Sequence, residues 1–331
     1  MVLAYGEQPY IHDVVDRLLA STGVSVHVVV VDNGCTSPSL EPLRDRPGVT
    51  LLEPGSNTGF TGGCNLGATA ATTEFLAFIN SDALVEPDAL AELAKVAARP
   101  EVGIASASLR LAETPELLNS AGNPVHVLGL SWAGHLGEPA TDFPAEQRIA
   151  SATGAAIVVR REVWAALGGF TEEFFAYCED ADLSLRSWQQ GWQVVYVPTA
   201  VVAHHYEFSR NKAKFYLLER NRLAMVLSLY EARTLLLLSP ALLAFEAAML
   251  AVAVLNGWLP AKLRGYRWLV KECRWLSAHR RAVQRVRTKR DRELAGLLTA
   301  RFDQSVLPLP RGGGALNAAM SGYWSLVRRL L

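Results

Sequence analysis

Apolar and polar residues along this 331-residue chain follow two rhythms. Short, mostly apolar runs have the length and β-branched content of buried strands: Val2-Leu3-Ala4, Val26 to Val31, Gly48 to Leu52, Phe75 to Ile79 and Ala155 to Val159. Between them lie helical periods. From Pro9 to about Leu19, one face collects Ile11, Val14, Val15, Leu18 and Leu19. Gly63 to Ala71 and a segment with Pro87 near its first position come next, and Glu162 to Leu167 stops at Gly168-Gly169. Strands alternating with helices predict an α/β fold with a mostly parallel central sheet.

In such a sheet ligands bind beyond the carboxyl ends of the strands, so acids placed there face a crevice. Three places qualify. Asp32 follows the run ending at Val31, and Asp82 ends the corner Asn80-Ser81-Asp82. The third is EDADLSLR from Glu179, where Asp180, Leu183 and Arg186 fall at helical spacing and the acidic end meets the positive pole of the helix. Ordinary first-turn acids would account for Glu179 and Asp180 taken alone, but not for the two earlier sites. Asp82 suits a hard divalent ion shared with substrate phosphates, which must supply much of the site because Asn80 beside it is neutral. The glycines at 59, 62, 63 and 67 lack the dinucleotide spacing. They serve turns or allow close approach of a phosphate equally well.

Charge changes the picture at the far end. Residues 1–259 carry 16 Lys and Arg against 28 Asp and Glu, and residues 260–331 carry 16 against 4, joining a net −12 to a net +12. Such a tail suits an anionic surface, and the acidic part before it favours anionic lipid over nucleic acid as that partner. Cys35, Cys64, Cys178 and Cys273 have no paired spacing, so they are expected to be small buried hydrophobes and not a disulfide framework or zinc site. The start MVLAYGEQPY has neither a basic region nor a long apolar core, which predicts a cytoplasmic location.

Asp32-Asn33, then SNTGFTGGCNLG, INSD and TGAAIVVRREVWAALGGFTEEFFAYCEDADLSLR in that order resemble the large family 2 of inverting glycosyltransferases with the GT-A fold. The likeness is to its bacterial rhamnosyltransferase-like members and covers about residues 2–225. It implies that Asp32 contacts the base or ribose of a nucleotide sugar and that Asn57, Gly59 and Phe60 line the nucleotide pocket with Asn65 and Ser81. Asp82 would hold Mg²⁺ or Mn²⁺ under the diphosphate. Asp180 would be the general base, with Glu179 beside it, and Glu179 or Asp182 would orient base or acceptor. Trp164, Asp182 and Arg210 are expected on the acceptor side. Similar enzymes place a third metal ligand beyond the base, where His204 and His205 stand; neighbours on a strand point to opposite sides, so His204 is the candidate and His205 the alternative. Asn80 in place of a first acid and a very short first strand depart from the family pattern. The short strand points to a start that lies upstream or to a trimmed pocket edge.

The resemblance divides the chain into a catalytic domain over 1–230 and a helical, basic, membrane-associated region over 231–331. Gln193 to Val197 reads as a short strand, interrupted by Pro198 before Val201-Val202-Ala203. RNKAKFYLLERNR over 210–222 reads as a solvated amphipathic helix or, by the resemblance, as a diphosphate-binding one through Arg210, Lys214, Arg220 and Arg222. Thr234 to Leu259 exceeds the ~20 residues that cross a bilayer. Pro240 and Glu246 in its middle make a simple span costly. The expectation is a broken helical pair lying shallowly in the membrane, ahead of a span and of a buried core helix or homodimer interface. Lys262, Arg264, Arg267, Lys271 and Arg274, interleaved with Tyr266, Trp268 and Trp275, suit an interfacial helix. The expected partners are a dTDP- or UDP-linked sugar, a polyprenyl-pyrophosphate-linked glycan acceptor and the cytoplasmic face of the membrane, held peripherally or monotopically. A nucleotidyltransferase or other nucleotide-sugar enzyme, and a noncatalytic membrane scaffold, are the alternatives.

Overall fold

The computed structural model describes residues 1–36, 38–206, 212–303 and 313–331, with backbone alone at 212 and 213. In chain order the strands are β1 (Val2–Gly6), β2 (Val28–Cys35), β3 (Val49–Leu52), β4 (Phe75–Asn80), β5 (Ala83–Val85), β6 (Val102–Leu111), β7 (Thr114–Ser120), β8 (Val125–His126), β9 (Gln147–Arg148), β10 (Ala156–Arg160), β11 (Gln193–His204) and β12 (Leu298–Thr299). The helices are α1 (Ile11–Leu19), α2 (Gly59–Thr69), α3 (Ala89–Ala97), α4 (Arg161–Leu167), α5 (Glu179–Gln189), α6 (Lys212–Leu229), α7 (Ala232–Leu255), α8 (Leu259–Lys271), α9 (Cys273–Val286), α10 (Asp291–Leu294) and α11 (Gly313–Leu330). The chain forms two compact units, one of Met1–Asn123, Ala133–Ser187 and Trp192–Phe208, the other of Pro124–Trp132, Trp188–Gly191 and Ser209–Leu331.

The first unit is built on a 10-stranded sheet in the order β3-β2-β1-β4-β10-β6-β11-β5, with β7 added to β6 and β9 to β11. Val2, Ala4, Val28 and Val30 on one face meet Ile11, Val14, Val15 and Leu18 of α1 and Leu90, Leu93 and Val96 of α3. Pairing is parallel from β3 to β4 and between β6 and β11, whereas β10 runs antiparallel to both β4 and β6. The sheet is therefore mixed and not mostly parallel. Parallel neighbours need a crossover, usually helical, and β10 is reached instead through the irregular stretch after β7, which leaves its direction free. Several boundaries also differ from the pattern, and β2 runs on through Asp32 to Cys35. β11 runs through Pro198 as one strand, because a register shift between Val197 and Val201 takes up the missing donor. Helix α2 opens at Gly59 and not Gly63, where side chains from β2 organise its first turn.

The second unit holds α6 to α11 and the short parallel pair β8–β12. Among the described residues α7 is the one helix long and apolar enough to cross a membrane, with mean hydropathy 2.1. It is unbroken, contrary to the expectation of a pair. Pro240 cannot donate to the Leu236 carbonyl, but the Ser239 hydroxyl does, at 2.8 Å. Glu246 is not stranded either. It accepts from Lys262 at 2.7 Å and from the Tyr266 hydroxyl at 2.6 Å and pairs with Arg222, while Glu219 pairs with Arg222 at 3.0 Å and with Lys262. Arg222 is thus a buried structural cation and no surface ligand-binder, and the buried Arg220 lies 4.4 Å from the centre of the Trp268 ring.

Candidate active site

The carboxyl ends of β2 and β4 carry two of the crevice acids, Asp32 and Asp82. Asp32, within the end of β2, accepts the backbone N–H groups of Gly34 at 3.0 Å and Cys35 at 2.8 Å through Oδ1. Asn33 beside it is buried and fully engaged. Its amide nitrogen donates to Asn57 Oδ1 at 3.0 Å and to the Gly59 carbonyl at 3.1 Å, and its oxygen accepts the N–H and hydroxyl of Thr58, each at 2.9 Å. These bonds shape the loop that starts α2. Gly59 adopts φ +77°, and a Cβ there would lie 2.4 Å from the Phe175 carbonyl oxygen, so only glycine fits. Thr61 then donates its N–H to that carbonyl at 3.2 Å. Asn57 and Gly59 consequently link the end of β2 to the segment before α5. Tyr5, at the end of β1, is 60 % exposed, and a Cβ on Gly34 would lie 3.6 Å from its ring, so it offers an open aromatic face next to Asp32 that hydrophobic patterning did not reveal.

Asp82 and His204 come together through strand pairing. β5 lies antiparallel on β11 with His204 opposite Ala83, which sets the preceding residue, Asp82, beside the histidine. His204 Nε2 is 3.2 Å from Asp82 Oδ1, and Nδ1 is 2.8 Å from Asn119 Oδ1. In this arrangement Nδ1 faces the Asn119 amide and Nε2 is the ring nitrogen that faces the carboxylate. A carboxylate and an imidazole oriented from behind by an amide are a fitting donor pair for a divalent ion. The described residues contain no cluster of three such ligands, so phosphate and water oxygens would complete the shell. His205 turns away, stacked on Tyr10 with ring centres 3.8 Å apart and bonded to Glu113 at 3.2 Å. Ser81 sits in the same turn as Asp82.

Asp180 opens α5 after an unusual approach: Phe175, Tyr177 and Cys178 have φ values of 65°, 70° and 68°, the left-handed region that non-glycine residues avoid. Backbone strain of this kind concentrates at functional sites. Asp180 Oδ1 accepts the Ala181 N–H at 2.7 Å, and Oδ2 accepts the Asn123 amide at 3.3 Å and the Gly154 N–H at 3.5 Å. Desolvation raises its pKa above the ordinary aspartate value, and these donors oppose the rise. Glu179 is raised to about 8 by burial and then by the charge of Asp180, and its Oε2 is buried with no hydrogen-bond partner among the described residues.

Four expected site residues are occupied elsewhere. Asp182 is fully buried, paired with Arg186 at 2.7 Å and accepting the Thr171 hydroxyl at 2.8 Å, which removes it from any acceptor. Trp164 is buried against Phe78 and Phe170, with ring centres 4.4 and 5.1 Å away. Asn65 brackets the backbone of Phe170, donating to its carbonyl and accepting its N–H, both at 2.9 Å, and Phe60 packs 5.7 Å from the Phe170 ring. Arg210 lies outside the described residues. Burial pushes the Cys35 thiol up to about 12 and also raises Cys64, whereas Cys273 is exposed, contrary to expectation.

A family profile described as "Glycosyltransferase like family 2" matches residues 1–226. The N-acetylglucosaminyl-diphospho-decaprenol L-rhamnosyltransferase of Mycobacterium tuberculosis (strain ATCC 25618 / H37Rv) is 29 % identical over 231 residues, covering 62 % of this chain and 75 % of its own. The O-antigen biosynthesis protein RfbC of Myxococcus xanthus is 31 % identical over 223 residues, 63 % of this chain and 17 % of that protein. Among solved structures, GalNAc-T7 with UDP, GalNAc and Mn²⁺ superposes with a TM-score of 0.60 at 15 % identity, over 70 % of this chain and 47 % of that one. The mannosyltransferase PcManGT of Pyrobaculum calidifontis, with GDP-Man and Mn²⁺, gives 0.51 at 18 % identity over 99 % and 84 %. These structural likenesses show a shared α/β fold, and the family match makes it a GT-A-like nucleotide-sugar-binding domain. Because the matched segment is the one that carries the sheet and all three crevice sites, the chain belongs to glycosyltransferase-like family 2.

Proposed function

We propose that the chain is an inverting, metal-dependent glycosyltransferase. It would move a sugar, with rhamnose the first to test, from a dTDP- or UDP-linked donor to a hydroxyl of a polyprenyl-pyrophosphate-linked glycan. The observation that carries this reading is the Asp82–His204 pair, 3.2 Å apart and fixed from behind by Asn119, in the same unit as the donor-bound carboxylate of Asp180. Rhamnose and the lipid-linked acceptor are suggested by the name of the mycobacterial relative.

In this mechanism the acceptor oxygen bonds the anomeric carbon while the bond from that carbon to the diphosphate oxygen breaks, its electron pair leaving with the nucleoside diphosphate. Attack from the face opposite the diphosphate inverts the anomeric centre. The hydroxyl proton passes to Asp180, whose three hydrogen bonds leave a lone pair free. A divalent ion held by Asp82 and His204 would neutralise charge on the departing diphosphate. Asp32 and the open ring of Tyr5 would receive the nucleoside.

Association with the membrane is assigned to α7. Leu236, Leu243, Val254 and Leu255 are 59–83 % exposed, while Met249 and Ala253 pack inward with Trp258. A span through the bilayer would carry the Arg222–Glu219–Lys262–Glu246 cluster and the exposed cations of α8 into hydrocarbon, so α7 lies in the interface with its apolar stripe toward lipid.

The reading is tested by release of nucleoside diphosphate from dTDP-rhamnose and a panel of UDP-sugars with a polyprenyl-diphosphate glycan. Asp180→Asn is expected to lose the ~10²–10⁴ of positioned base catalysis, yet to bind dTDP with Mn²⁺ as tightly as wild type in calorimetry. Asp82→Ala and His204→Ala are expected to abolish the Mn²⁺ dependence of that binding. Retention of more than about a tenth of the turnover by Asp180→Asn would reject the base assignment, since that is below the least such catalysis supplies.

A further inference from the structure

The end of β7 and the turn after it carry a set of polar side chains that reach the site from behind. Asn119, Ser120 and Asn123 are all buried. Gly122 sits at φ +97°, and a Cβ there would lie 2.6 Å from the Ile149 side chain, so the chain can turn this tightly only with glycine. Asn123 is then pinned to Ser151 by two backbone bonds, Asn123 N–H to the Ser151 carbonyl at 2.8 Å and Ser151 N–H to the Asn123 carbonyl at 3.2 Å. Its side chain is equally constrained. Asn123 Oδ1 accepts from the Ser120 hydroxyl at 3.0 Å and from the Thr153 hydroxyl at 2.9 Å, and Ser120 Oγ itself accepts the Gly122 N–H at 3.0 Å. With the oxygen held by two hydroxyls, the amide nitrogen must face Asp180 Oδ2, 3.3 Å away.

We propose that Asn123, locked by Ser120 and Thr153, is a positioning residue that donates to Asp180 and holds it ionised and aimed for proton transfer. Asn119, four residues earlier on the same corner, orients the imidazole of His204. One short turn would thereby set both the base and the metal-side histidine. This rests on the reading of Asp180 as the base.

The remaining groups around Asp180 do not replace this donor. Glu179, on the same helix, is itself pushed up by burial and by the charge of Asp180, and Asp182 is engaged by Arg186 and Thr171. From the stretch leading into β10 the Gly154 N–H reaches Asp180, and from the turn after β7 the neutral amide of Asn123 does. Burial raises the Asp180 pKa, and the Asn123 bond is among the interactions that lower it again.

The test follows the carboxyl stretch of Asp180 by infrared difference spectroscopy across pH on the full chain, which needs no sugar donor. The band is identified by its loss in Asp180→Asn. A hydrogen bond to a charged group is worth about one pKa unit or more, so Asn123→Ala is expected to raise the Asp180 midpoint by roughly that much. The isosteric Asn123→Asp should raise it further through like charge, and Thr153→Val should raise it less by loosening the amide. Nucleotide affinity should stay unchanged in all three. An unmoved midpoint in Asn123→Asp and Thr153→Val, or a shift matched by equal loss of dTDP affinity, would overturn the proposal and leave the corner as packing. An active Asp180→Asn would instead overturn the base reading on which it rests.

Discussion

Glu179 and Asp180 are neighbours with the same chemistry, and burial treats them differently. Desolvation lifts both, but Asp180 has the Ala181 and Gly154 N–H groups and the Asn123 amide to receive its charge, whereas Glu179 Oε2 has no hydrogen-bond partner among the described residues. Near neutrality the pair therefore holds a proton, and the charge is favoured on Asp180. The consequence for stability has a definite sign. The folded Glu179 pKa of about 8 lies above its ordinary value of 4.5, so the folded state keeps a proton that the unfolded chain releases between those pH values. Stability from this group is fully present below the lower value and is lost as pH rises through the upper one. Glu179→Gln, which cannot ionise, is expected to melt with the wild type near pH 4 and above it at pH 9. Coincident melting curves at both would remove burial as the cause.

Helix α7 shows how a pattern that looks like a break can be repaired. From sequence, Pro240 removes a donor and Glu246 puts a charge among leucines and alanines. The Ser239 hydroxyl supplies the missing bond, and the charge is met by Arg222 and Lys262 from α6 and α8. Removing one partner from a buried ionic cluster leaves uncompensated charge, worth about 3–5 kcal/mol. Glu246→Ala should lose that much in denaturant unfolding of the detergent-solubilised chain, with Leu243→Ala on the exposed stripe within about 0.5 kcal/mol of wild type. Equal effects of the two would mean that the cluster does not hold α7. The positions of Pro240 and Glu246 were legible, but their partners were not, since Lys262 and Arg222 belong to other helices.

For the chain as a whole, the opposed net charges of −12 over 1–259 and +12 over 260–331 set two different dependences on salt. Lys and Arg near an anionic surface contribute up to about 1 kcal/mol each, and at 1 M salt the Debye length falls to about 3 Å. The apolar stripe of α7 is not screened. The full chain should float with phosphatidylglycerol vesicles even in 1 M salt, and a variant with Leu236, Leu243, Val254 and Leu255 replaced by serine should float only at low salt. Salt-resistant flotation of that variant would exclude the stripe as the lipid contact.

The sequence by itself determined the α/β class, the places of the crevice acids at strand ends and the apolar helix with its basic sequel. Each of these follows from local periodicity or from a residue's position relative to its own strand or helix. The tertiary structure decided what depends on partners distant in sequence. The direction of β10 came from its neighbours in the sheet, and the placing of His204 beside Asp82 from the pairing of β5 with β11. Asp182 and Trp164 lost their acceptor-side role once Arg186, Thr171, Phe78 and Phe170 closed over them. Asn119 and Asn123 reach His204 and Asp180 because a tight turn at Gly122 folds an unremarkable polar stretch against them. A hydrogen bond is made by whichever groups the fold brings within about 3 Å, and separation along the chain carries no record of that distance.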